Sequence, residues 1–222
     1  MKRKVVITKD GSKTIHLEEW NESYHSTHGA IQEAQHVYIN SGFKKVALKE
    51  LSVLEFGFGT GLNALMTYLE AIKEQIKVAY TTLEAYPVES KELLQLDYVA
   101  SLKNSFAEET FQLMHSAPWD DAIRLSDNFT FEKRQIDFRD LQDKSKYNLV
   151  FYDAFGPRVQ PELWTQEMFL KVFSAMKEGG VLVTYSCKGS VRRAMIATGF
   201  TVEKIPGPPG KREMLRAIKP NL

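Results

Sequence analysis

Three closely spaced glycines follow a run of strand-forming residues and could form a ligand-binding loop. The segment LEFGFGTGLN (54–63) contains Gly57, Gly59 and Gly61, and Glu55 lies two residues before the first of them. Glycines in such a loop let the backbone turn tightly and come close to a bound molecule. Dinucleotide-binding loops have the spacing G-x-G-x-x-G, and here the third glycine comes one residue earlier. The segment therefore predicts a loop around a small ligand, with a departure from the dinucleotide pattern.

Acidic residues end three further predicted strands. Glu84 ends the strand in KVAYTTLEAYP, Asp137 ends FTFEKRQID, and Asp153 ends the strand in YNLVFYDAF. Ligands of doubly wound sheets bind at the carboxyl ends of the strands, so these carboxylates are expected to lie near the glycine loop. Glu84 could accept hydrogen bonds from both hydroxyls of a ribose, or it could be a solvated charge. Asp137 could bind an adenine amine or polarise the loop around it, or it could cap the helix that the segment DFRDL indicates.

Asp153 is the predicted catalytic residue, because it ends a strand next to the expected reversal of strand order. A carboxylate there could act on a group of the substrate or exchange a proton with it. The alternative is a helix cap or a solvated strand end. Phe155 could stack on a base that has left its helix, or pack in the core.

The elements expected to position these residues alternate between strands and helices from residue 51 onwards. The strand LSVLEF precedes the glycine loop, a helix LNALMTYLEAIKEQ follows it, and PELWTQEMFLKVFSAMKEGG predicts one helix with Pro161 in its first turn. Such alternation predicts an α/β fold with a parallel sheet covered on both faces. TVEKI and REMLRAI have no helix between them and are predicted to pair as an antiparallel hairpin.

The first fifty residues predict a small extension in front of this fold. Residues 4–8 and 14–18 alternate around the turn Asp10-Gly11, as in a hairpin, and GAIQEAQHVYI (29–39) has helical spacing. YHSTHG (24–29) could be the entry to that helix and a lid over the ligand. The expected division is an extension over residues 1–50 and a Rossmann-like domain over residues 51–222.

Composition excludes several classes of protein. The chain has 222 residues, 43% of them hydrophobic, and a net charge of +1, so any basic surface must be local. The apolar run Val5–Ile7 is too short for a signal peptide or a membrane span. Cys187 is the only cysteine and is expected to be buried, and the five histidines lack metal-ligand spacing. A cytoplasmic protein without a metal is predicted.

Several longer segments resemble one family of tRNA-modifying enzymes. They lie between Tyr24 and Lys219 and read YHSTHGAIQEAQHVYI, EFGFGTGLN, LEAYP, YDAFGPRVQPELWTQEMF, GGVLVTYSCKGSVRRAMIATGF and GKREML. They are similar to the methyltransferase domain of the bifunctional tRNA 5-methylaminomethyl-2-thiouridine biosynthesis proteins, the MnmC family. The resemblance implies a class I S-adenosylmethionine-dependent methyltransferase fold, which is a Rossmann-like doubly wound sheet with a terminal antiparallel hairpin.

The resemblance also implies a cofactor, a reaction and site residues. S-adenosylmethionine sites resemble the acid-x-G-x-G-x-G pattern here, with Glu55 near the ammonium of the ligand, directly or through water. The implied reaction methylates the 5-aminomethyl group of wobble uridine or 2-thiouridine in tRNA, giving 5-methylaminomethyl-(2-thio)uridine. The segment DAF (153–155) matches the family's catalytic segment, which implies that Asp153 accepts a hydrogen from this amine and orients its lone pair for an in-line displacement. A carboxylate also favours the charged ammonium form, so positioning is its main implied role, with proton acceptance direct or through water. No counterpart of the family's flavin domain is found in the sequence, so a separate enzyme is expected to supply the aminomethyl substrate. The segment DAFGP departs from the family's acid-Gly-Phe-Ala-Pro, which leaves the pocket shape open. The implied cofactor-binding residues are Glu55, Gly57, Gly59, Gly61, Asn63, Glu84 and Asp137.

The end of the chain is basic and is the expected tRNA-binding face. Residues 186–222 contain eight Lys or Arg residues and only two acids. An ordinary solvated surface is the alternative, and so is a different class of enzyme, a methyl- or aminopropyltransferase that acts on a small-molecule amine. A third class, a cofactor-binding module without catalysis, would leave Asp153 without a role. The residues expected to bind RNA or the base are Phe155, Arg192, Arg193, Lys211 and Arg212.

Overall fold

A computed structural model describes residues 2–102, 104 and 106–221. The strands are β1 (Arg3–Ile7), β2 (Lys13–Leu17), β3 (Glu22–Ser23), β4 (Glu50–Phe56), β5 (Lys77–Leu83), β6 (Ala122–Ser126), β7 (Phe129–Arg134), β8 (Tyr147–Tyr152), β9 (Met176–Thr184), β10 (Thr201–Pro206) and β11 (Glu213–Ile218). The α-helices are α1 (Ala30–Ala34), α2 (Leu62–Glu74), α3 (Ser90–Leu93), α4 (Tyr98–Leu102), α5 (Ala107–Ser116), α6 (Gln166–Ala175) and α7 (Gly189–Thr198).

The large sheet has the predicted parallel centre, and its strand pairs at both edges are antiparallel. Its strand order is β10-β11-β9-β8-β4-β5-β7-β6, and the pairs β4–β5, β4–β8, β5–β7 and β8–β9 are parallel. The chain leaves β4 for β5 on one side and later reaches β8 on the other, so the order reverses between β4 and β8. The carboxyl ends of these two strands are therefore neighbours, which is where such folds bind ligands. The predicted α/β fold is confirmed.

The terminal hairpin is also confirmed, and one edge strand was not predicted. β10 and β11 pair antiparallel, with Thr201 opposite Ile218, and β11 in turn pairs with β9. The additional strand β6 pairs antiparallel with β7 at the other edge. Its sequence AIRLS is short and half-exposed, so its hydrophobic pattern is too weak to indicate a strand.

The predicted helix over residues 161–180 is wrong in its bounds. A 3₁₀ turn covers Pro161–Trp164, Thr165 is extended, and its side chain caps α6 by accepting from the backbone N–H of Met168 at 3.2 Å. The segment after Ala175 belongs to β9 instead. The N–H of Gly179 donates to the carbonyl of Lys219, and the N–H of Lys219 donates to that of Gly180, both at 2.9 Å. These hydrogen bonds satisfy backbone N–H and C=O groups between neighbouring chain segments, as in a strand and not as in a helix.

The N-terminal extension is a separate small sheet followed by a helical segment. β1 and β2 form the predicted hairpin, and β3 adds a third strand. The predicted helix over 29–39 is an α-helix only at Ala30–Ala34 and continues as a π-helix at Gln35–Asn40. Val37 and Tyr38 are buried in the same cluster as β4 and β5. The division into residues 1–50 and 51–222 stays a prediction, because the helical part of the extension shares this core.

No helix among residues 2–102, 104 and 106–221 is long and apolar enough to cross a bilayer.

Candidate active site

A cavity of about 1250 Å³ lies between the carboxyl ends of the central strands and the N-terminal extension. It is larger than the clefts that usually hold one small ligand, so a nucleoside cofactor and a nucleoside-sized acceptor fit together. The extension contributes residues 16–17 and 20–27 to its walls, and the strand ends contribute the opposite side. The cavity brings together many of the residues singled out from the sequence, namely Gly57, Gly59, Asn63, Glu84, Asp137, Asp153, Phe155 and Lys211.

The glycine loop begins directly after β4 and has the backbone conformation that favours glycine. Gly57, Gly59 and Gly61 have φ values of +97°, +50° and +77°, all in the left-handed region. A Cβ on Gly59 would lie 3.1 Å from the ring of Tyr24, and one on Gly61 would lie 2.9 Å from Nε2 of His115. Gly57 and Gly59 line the cavity, whereas Gly61 packs behind the loop.

Glu84 follows β5 and faces the cavity beside this loop. Its carboxylate accepts hydrogen bonds from the backbone N–H groups of Gly59 at 3.0 Å and Tyr86 at 2.9 Å. Burial raises its pKa above the ordinary value, against the effect of these two bonds. A carboxylate can accept about four hydrogen bonds, so it retains capacity for two ligand hydroxyls.

Asp137 lines the cavity and also caps the 3₁₀ turn at Phe138–Asp140. Its carboxylate accepts from the backbone N–H of Arg139 at 2.9 Å and from the guanidinium of the same residue at 2.7 and 2.9 Å. The hydrogen bond from Arg139 lowers the pKa of Asp137. The cap, one of the two alternatives, is thus present, and a contact with adenine stays a prediction.

Glu55 lies beneath the loop and is not brought to the cavity. Its side chain is 0% exposed, and the residue does not belong to the cavity wall. Burial raises the pKa of its carboxyl to about 8. The geometry does not support the expected direct contact with a ligand ammonium, since the carboxyl cannot reach the cavity surface.

Asp153 follows β8, and two side chains hold its carboxylate at the cavity wall. The hydroxyl of Tyr38 donates to Oδ1 at 2.5 Å, and the amide of Asn63 donates to Oδ2 at 2.8 Å. Burial raises the pKa of Asp153 to about 7. A carboxyl with such a pKa exchanges protons near neutral pH, which suits a general base.

An aromatic wall, formed by Trp20, Tyr24 and Phe155, stands beside Asp153. The ring of Phe155 lies 5.4 Å from that of Trp20 and 5.0 Å from that of Tyr24, both edge to face. The indole of the buried Trp164 donates to the carbonyl of Phe155 at 2.8 Å and fixes this loop. Sequence reasoning missed Trp20 and Tyr38, because no periodicity or spacing connects the extension to the strand ends. Both belong to the extension, and only Tyr38 lies in a segment that carries the family resemblance.

The structure separates the basic residues expected to bind RNA. Lys211 points into the cavity, where its Nζ lies 3.0 Å from Glu33 and 4.1 Å from the ring centre of Tyr185. Its neighbour Arg212 is exposed, as is Arg193 on α7, and Arg192 is half-buried. Three other cations of the same region are engaged elsewhere: Lys204 with Glu213, Arg216 with Glu203, and Lys219 with two backbone carbonyls.

Two further sequence expectations concern Cys187 and metals. Cys187 is exposed after the end of β9, so its predicted burial is wrong. The chain turns away from the sheet there toward α7, and the side chain has no core to enter. In the part of the chain that the structure describes, no three His, Cys, Asp or Glu side chains are grouped as a metal site would require.

Comparison with known families decides the class of protein. Residues 97–220, more than half of the chain, match the model of a family described as S-adenosyl-L-methionine-dependent methyltransferase. The chain belongs to this family. The predicted enzyme class and cofactor are thereby confirmed.

Curated relatives of this methyltransferase are longer proteins. The tRNA 5-methylaminomethyl-2-thiouridine biosynthesis bifunctional protein MnmC of Leptospira interrogans is 26% identical over 222 residues, which are 95% of this chain and 34% of the relative. The same protein of Aliivibrio fischeri is 27% identical over 242 residues, 94% of this chain and 35% of the relative. The chain thus spans about a third of the length of the curated relatives it matches.

Solved structures support the fold of this methyltransferase. The crystal structure of MNMC2 from Aquifex aeolicus has a TM-score of 0.78 at 24% identity and covers 100% of this chain and 72% of that one. Spermidine synthase from Thermotoga maritima has a TM-score of 0.56 at 13% identity and covers 98% and 68%. Both likenesses, at these identities, concern the fold alone.

The residues at the strand ends fit S-adenosylmethionine. A left-handed loop without side chains at Gly57 and Gly59 gives backbone access, and the free acceptor capacity of Glu84 suits ribose hydroxyls. Gly57 and Asp153 lie side by side, so the glycine loop and the carboxylate of Asp153 line adjoining parts of the cavity.

Proposed function

We propose that this methyltransferase methylates the nitrogen of the 5-aminomethyl group on wobble uridine or 2-thiouridine in tRNA, giving 5-methylaminomethyl-(2-thio)uridine. The observation that carries the proposal is the carboxylate of Asp153, held next to the aromatic wall in a cavity large enough for two nucleosides. The names of the MnmC relatives, which align over nearly the whole of this chain, support the same substrate.

Bound S-adenosylmethionine would supply an electrophilic methyl group. Glu84 and the backbone of the loop from Gly57 to Gly59 would hold the cofactor. Asp153 would accept a hydrogen from the acceptor amine, orient its lone pair and take up a proton that then passes to solvent. Tyr38 and Asn63 keep both carboxylate oxygens in place for that task.

The aromatic wall would receive the base. A base that undergoes chemistry leaves its stack, and aromatic faces or edges stabilise it outside the helix. Trp20 and Phe155 line the cavity together with Asp153, so a pyrimidine ring that packs against this wall would present its C5 substituent to the carboxylate. A stacked base contributes roughly 1–3 kcal/mol in single-stranded complexes.

The tRNA backbone would contact the exposed cations of α7 and the following hairpin. Lys188, Arg193 and Arg212 are exposed and Arg192 is half-buried, and none of these four forms an ion pair among the described residues. Such cations attract phosphates and make binding salt-dependent. We further propose that the protein is cytoplasmic and that another enzymatic activity supplies the free aminomethyl group.

A second candidate function is the transfer of a methyl or aminopropyl group to a small-molecule amine. The acids of the cavity favour it, since Glu22 and Glu33 line the wall together with Asp153. A polyamine would displace the cations that pair with them, Arg158 at Glu22 and Lys211 at Glu33. The proposed function needs exposed cations outside the cavity, whereas this alternative needs only the acids inside it.

Nucleoside analysis distinguishes the two functions. The protein is incubated with methyl-labelled S-adenosylmethionine and with either tRNA that carries 5-aminomethyluridine or a set of linear diamines. We expect label in 5-methylaminomethyluridine after digestion and mass spectrometry, and none with tRNA that lacks the aminomethyl group. Label or an aminopropyl adduct in the diamines alone would overturn the proposal in favour of the second candidate.

A further inference from the structure

We infer that Arg158 is a positioning residue that holds Trp20 against Phe155, so that the aromatic wall is formed before an acceptor binds. The inference rests on the proposed function only for the acceptor that this wall receives. The placement of Trp20 by Arg158 concerns contacts within this chain and does not depend on that function.

One nitrogen of the Arg158 side chain contacts three acceptors on the N-terminal extension. Nη2 lies 2.8 Å from the carbonyl oxygen of Trp20, 3.0 Å from that of Asn21 and 2.9 Å from a carboxylate oxygen of Glu22. Hydrogen bonds from a charged donor are shorter and stronger than those between neutral groups. Arg158 therefore joins the turn between β2 and β3 to the loop after β8, although these residues are 136 to 138 positions apart in the sequence.

The turn has no second polar connection of this kind in the described part of the chain. Apart from the bonds of Arg158, the hydrogen bonds and ion pairs of residues 18–24 stay within the extension, with partners in residues 2–23. The rings of Trp20 and Tyr24 add edge-to-face contacts with Phe155. Without Arg158, ring contacts would have to hold the turn at the wall.

The backbone around Arg158 is itself well held. The N–H groups of Val159 and Gln160 both donate to the carbonyl of Gly156, at 2.9 and 3.1 Å. The same short loop carries Phe155, one ring of the wall. Its other ring is thus placed by a side chain that starts three residues further along this loop, which keeps the two rings in register with each other.

Two alternatives for Arg158 are an ordinary surface ion pair and a cation that contacts an RNA phosphate. The side chains of Arg158 and Glu22 are 60% and 32% exposed, and exposed ion pairs contribute little to stability. However, two of the three acceptors are backbone carbonyls of the turn, one of them that of Trp20 itself. Trp20 lines the cavity and Arg158 does not, so Arg158 acts on an acceptor in the cavity through Trp20.

Fluorine NMR of the protein labelled with 5-fluorotryptophan tests the placement of Trp20. The chain has three tryptophans, and the resonance that is missing from Trp20→Phe belongs to Trp20. In Arg158→Met this resonance should move toward the position of free 5-fluorotryptophan, while the other two stay in place. In Arg158→Lys, whose ammonium can donate to the same carbonyls, the shift should be smaller.

Arg124→Ala is the matched control, because Arg124 is a similarly exposed, ion-paired arginine outside the cavity wall. If Arg158→Met does not fold, Arg158→Gln should give a shift in the same direction, since it has lost the charge. A Trp20 resonance that is the same in the folded variant, in Arg124→Ala and in the wild-type protein would overturn the inference. This measurement needs no acceptor, so it remains decisive if the proposed function fails.

A double-mutant cycle tests whether Arg158 acts through Trp20. In single-turnover methylation, the tRNA concentration that gives half of the maximal rate should rise about fivefold or more in Arg158→Met, with unchanged affinity for S-adenosylmethionine. In a Trp20→Ala background the same substitution should have little further effect, because the ring that Arg158 holds is gone. Additive effects would mean that Arg158 contacts the RNA directly and would contradict the inference. If the wild-type protein methylates a diamine and not tRNA, the proposed function fails, and the same cycle with that diamine decides the role of Arg158.

Discussion

Gly57 and Asp153 approach so closely that a Cβ added to Gly57 would lie 3.0 Å from the backbone oxygen of Asp153. The approach follows from the pairing of β4 with β8, which places Phe56 opposite Tyr152 and ends both strands at one point. The loop that would hold the cofactor and the carboxylate that would act on the acceptor are thus joined through one backbone contact.

Gly57→Ala is expected to weaken S-adenosylmethionine binding at least tenfold, about 1.4 kcal/mol. The substitution combines a φ of +97° with the close contact to Asp153, so the loop must move. Calorimetry measures the affinity. Gly11→Ala is the matched control, because Gly11 has a φ of +86° with nothing within 4 Å and lies outside the cavity wall. A folded Gly57→Ala variant with wild-type affinity would mean that the loop is only a connection.

Glu84→Gln is expected to lower cofactor affinity by tenfold or more, since the amide loses acceptor capacity toward ribose and one of two backbone N–H bonds. The same titration measures it. Glu50→Gln, at an exposed position in β4, serves as the control. Equal affinities for the two variants would leave Glu84 as a support of the loop alone.

The double variant Arg192→Ala with Arg193→Ala is expected to bind tRNA with a weaker salt dependence. The slope of log binding constant against log salt concentration should become less steep by about two, one for each phosphate that is no longer neutralised. Lys204→Ala with Arg216→Ala removes the same charge from residues that are paired with Glu213 and Glu203, and should change the slope less. Filter binding over a salt series measures both. Identical slopes for the two double variants would mean that α7 does not contact RNA.

His115 predicts a specific loss of stability in acid. Burial lowers its pKa from 6.5 to about 4, so the unfolded chain binds more protons and stability falls as pH drops from 6.5 toward 4. The loss amounts to about 1.4 kcal/mol per pH unit. Between pH 6.5 and pH 5, the free energy of unfolding should fall by about 1–2 kcal/mol less in His115→Gln than in the wild-type protein. Glutamine is chosen because its amide can still donate to the carbonyl of Thr60. Urea unfolding at the two pH values measures this, and parallel losses in both proteins would refute it.

The strand ends could be predicted from sequence because their signal is local. A buried strand followed by Gly57 or Asp153 is visible in a few residues, and the alternation of elements then sets the sheet. The wall formed by Trp20 and the donor from Tyr38 could not be predicted in this way. They contact Phe155 and Asp153 across more than a hundred residues, and no periodicity encodes such a contact.

The basic tail shows a similar limit. Their shared charge predicted the same role for Lys211 and Arg212, but both residues lie in the turn before β11, where neighbouring side chains need not face the same way. Lys211 enters the cavity and pairs with Glu33, while Arg212 is exposed. The burial of Glu55 could not be predicted for another reason. The sequence pattern at the end of a buried strand is the same whether the side chain faces the ligand cavity or is buried beneath the glycine loop.

The most direct test of the account is the single-turnover rate of methylation of tRNA bearing 5-aminomethyluridine, measured from pH 5.5 to pH 9 for the wild-type protein and Asp153→Asn. The wild-type rate should rise as Asp153 ionises, with a midpoint near 7. Asp153→Asn should be slower by roughly 10²-fold, still bind S-adenosylmethionine, and recover part of its rate at high pH, where more of the amine is neutral. A variant as fast as the wild-type protein at every pH would contradict the assignment of Asp153 as the catalytic residue.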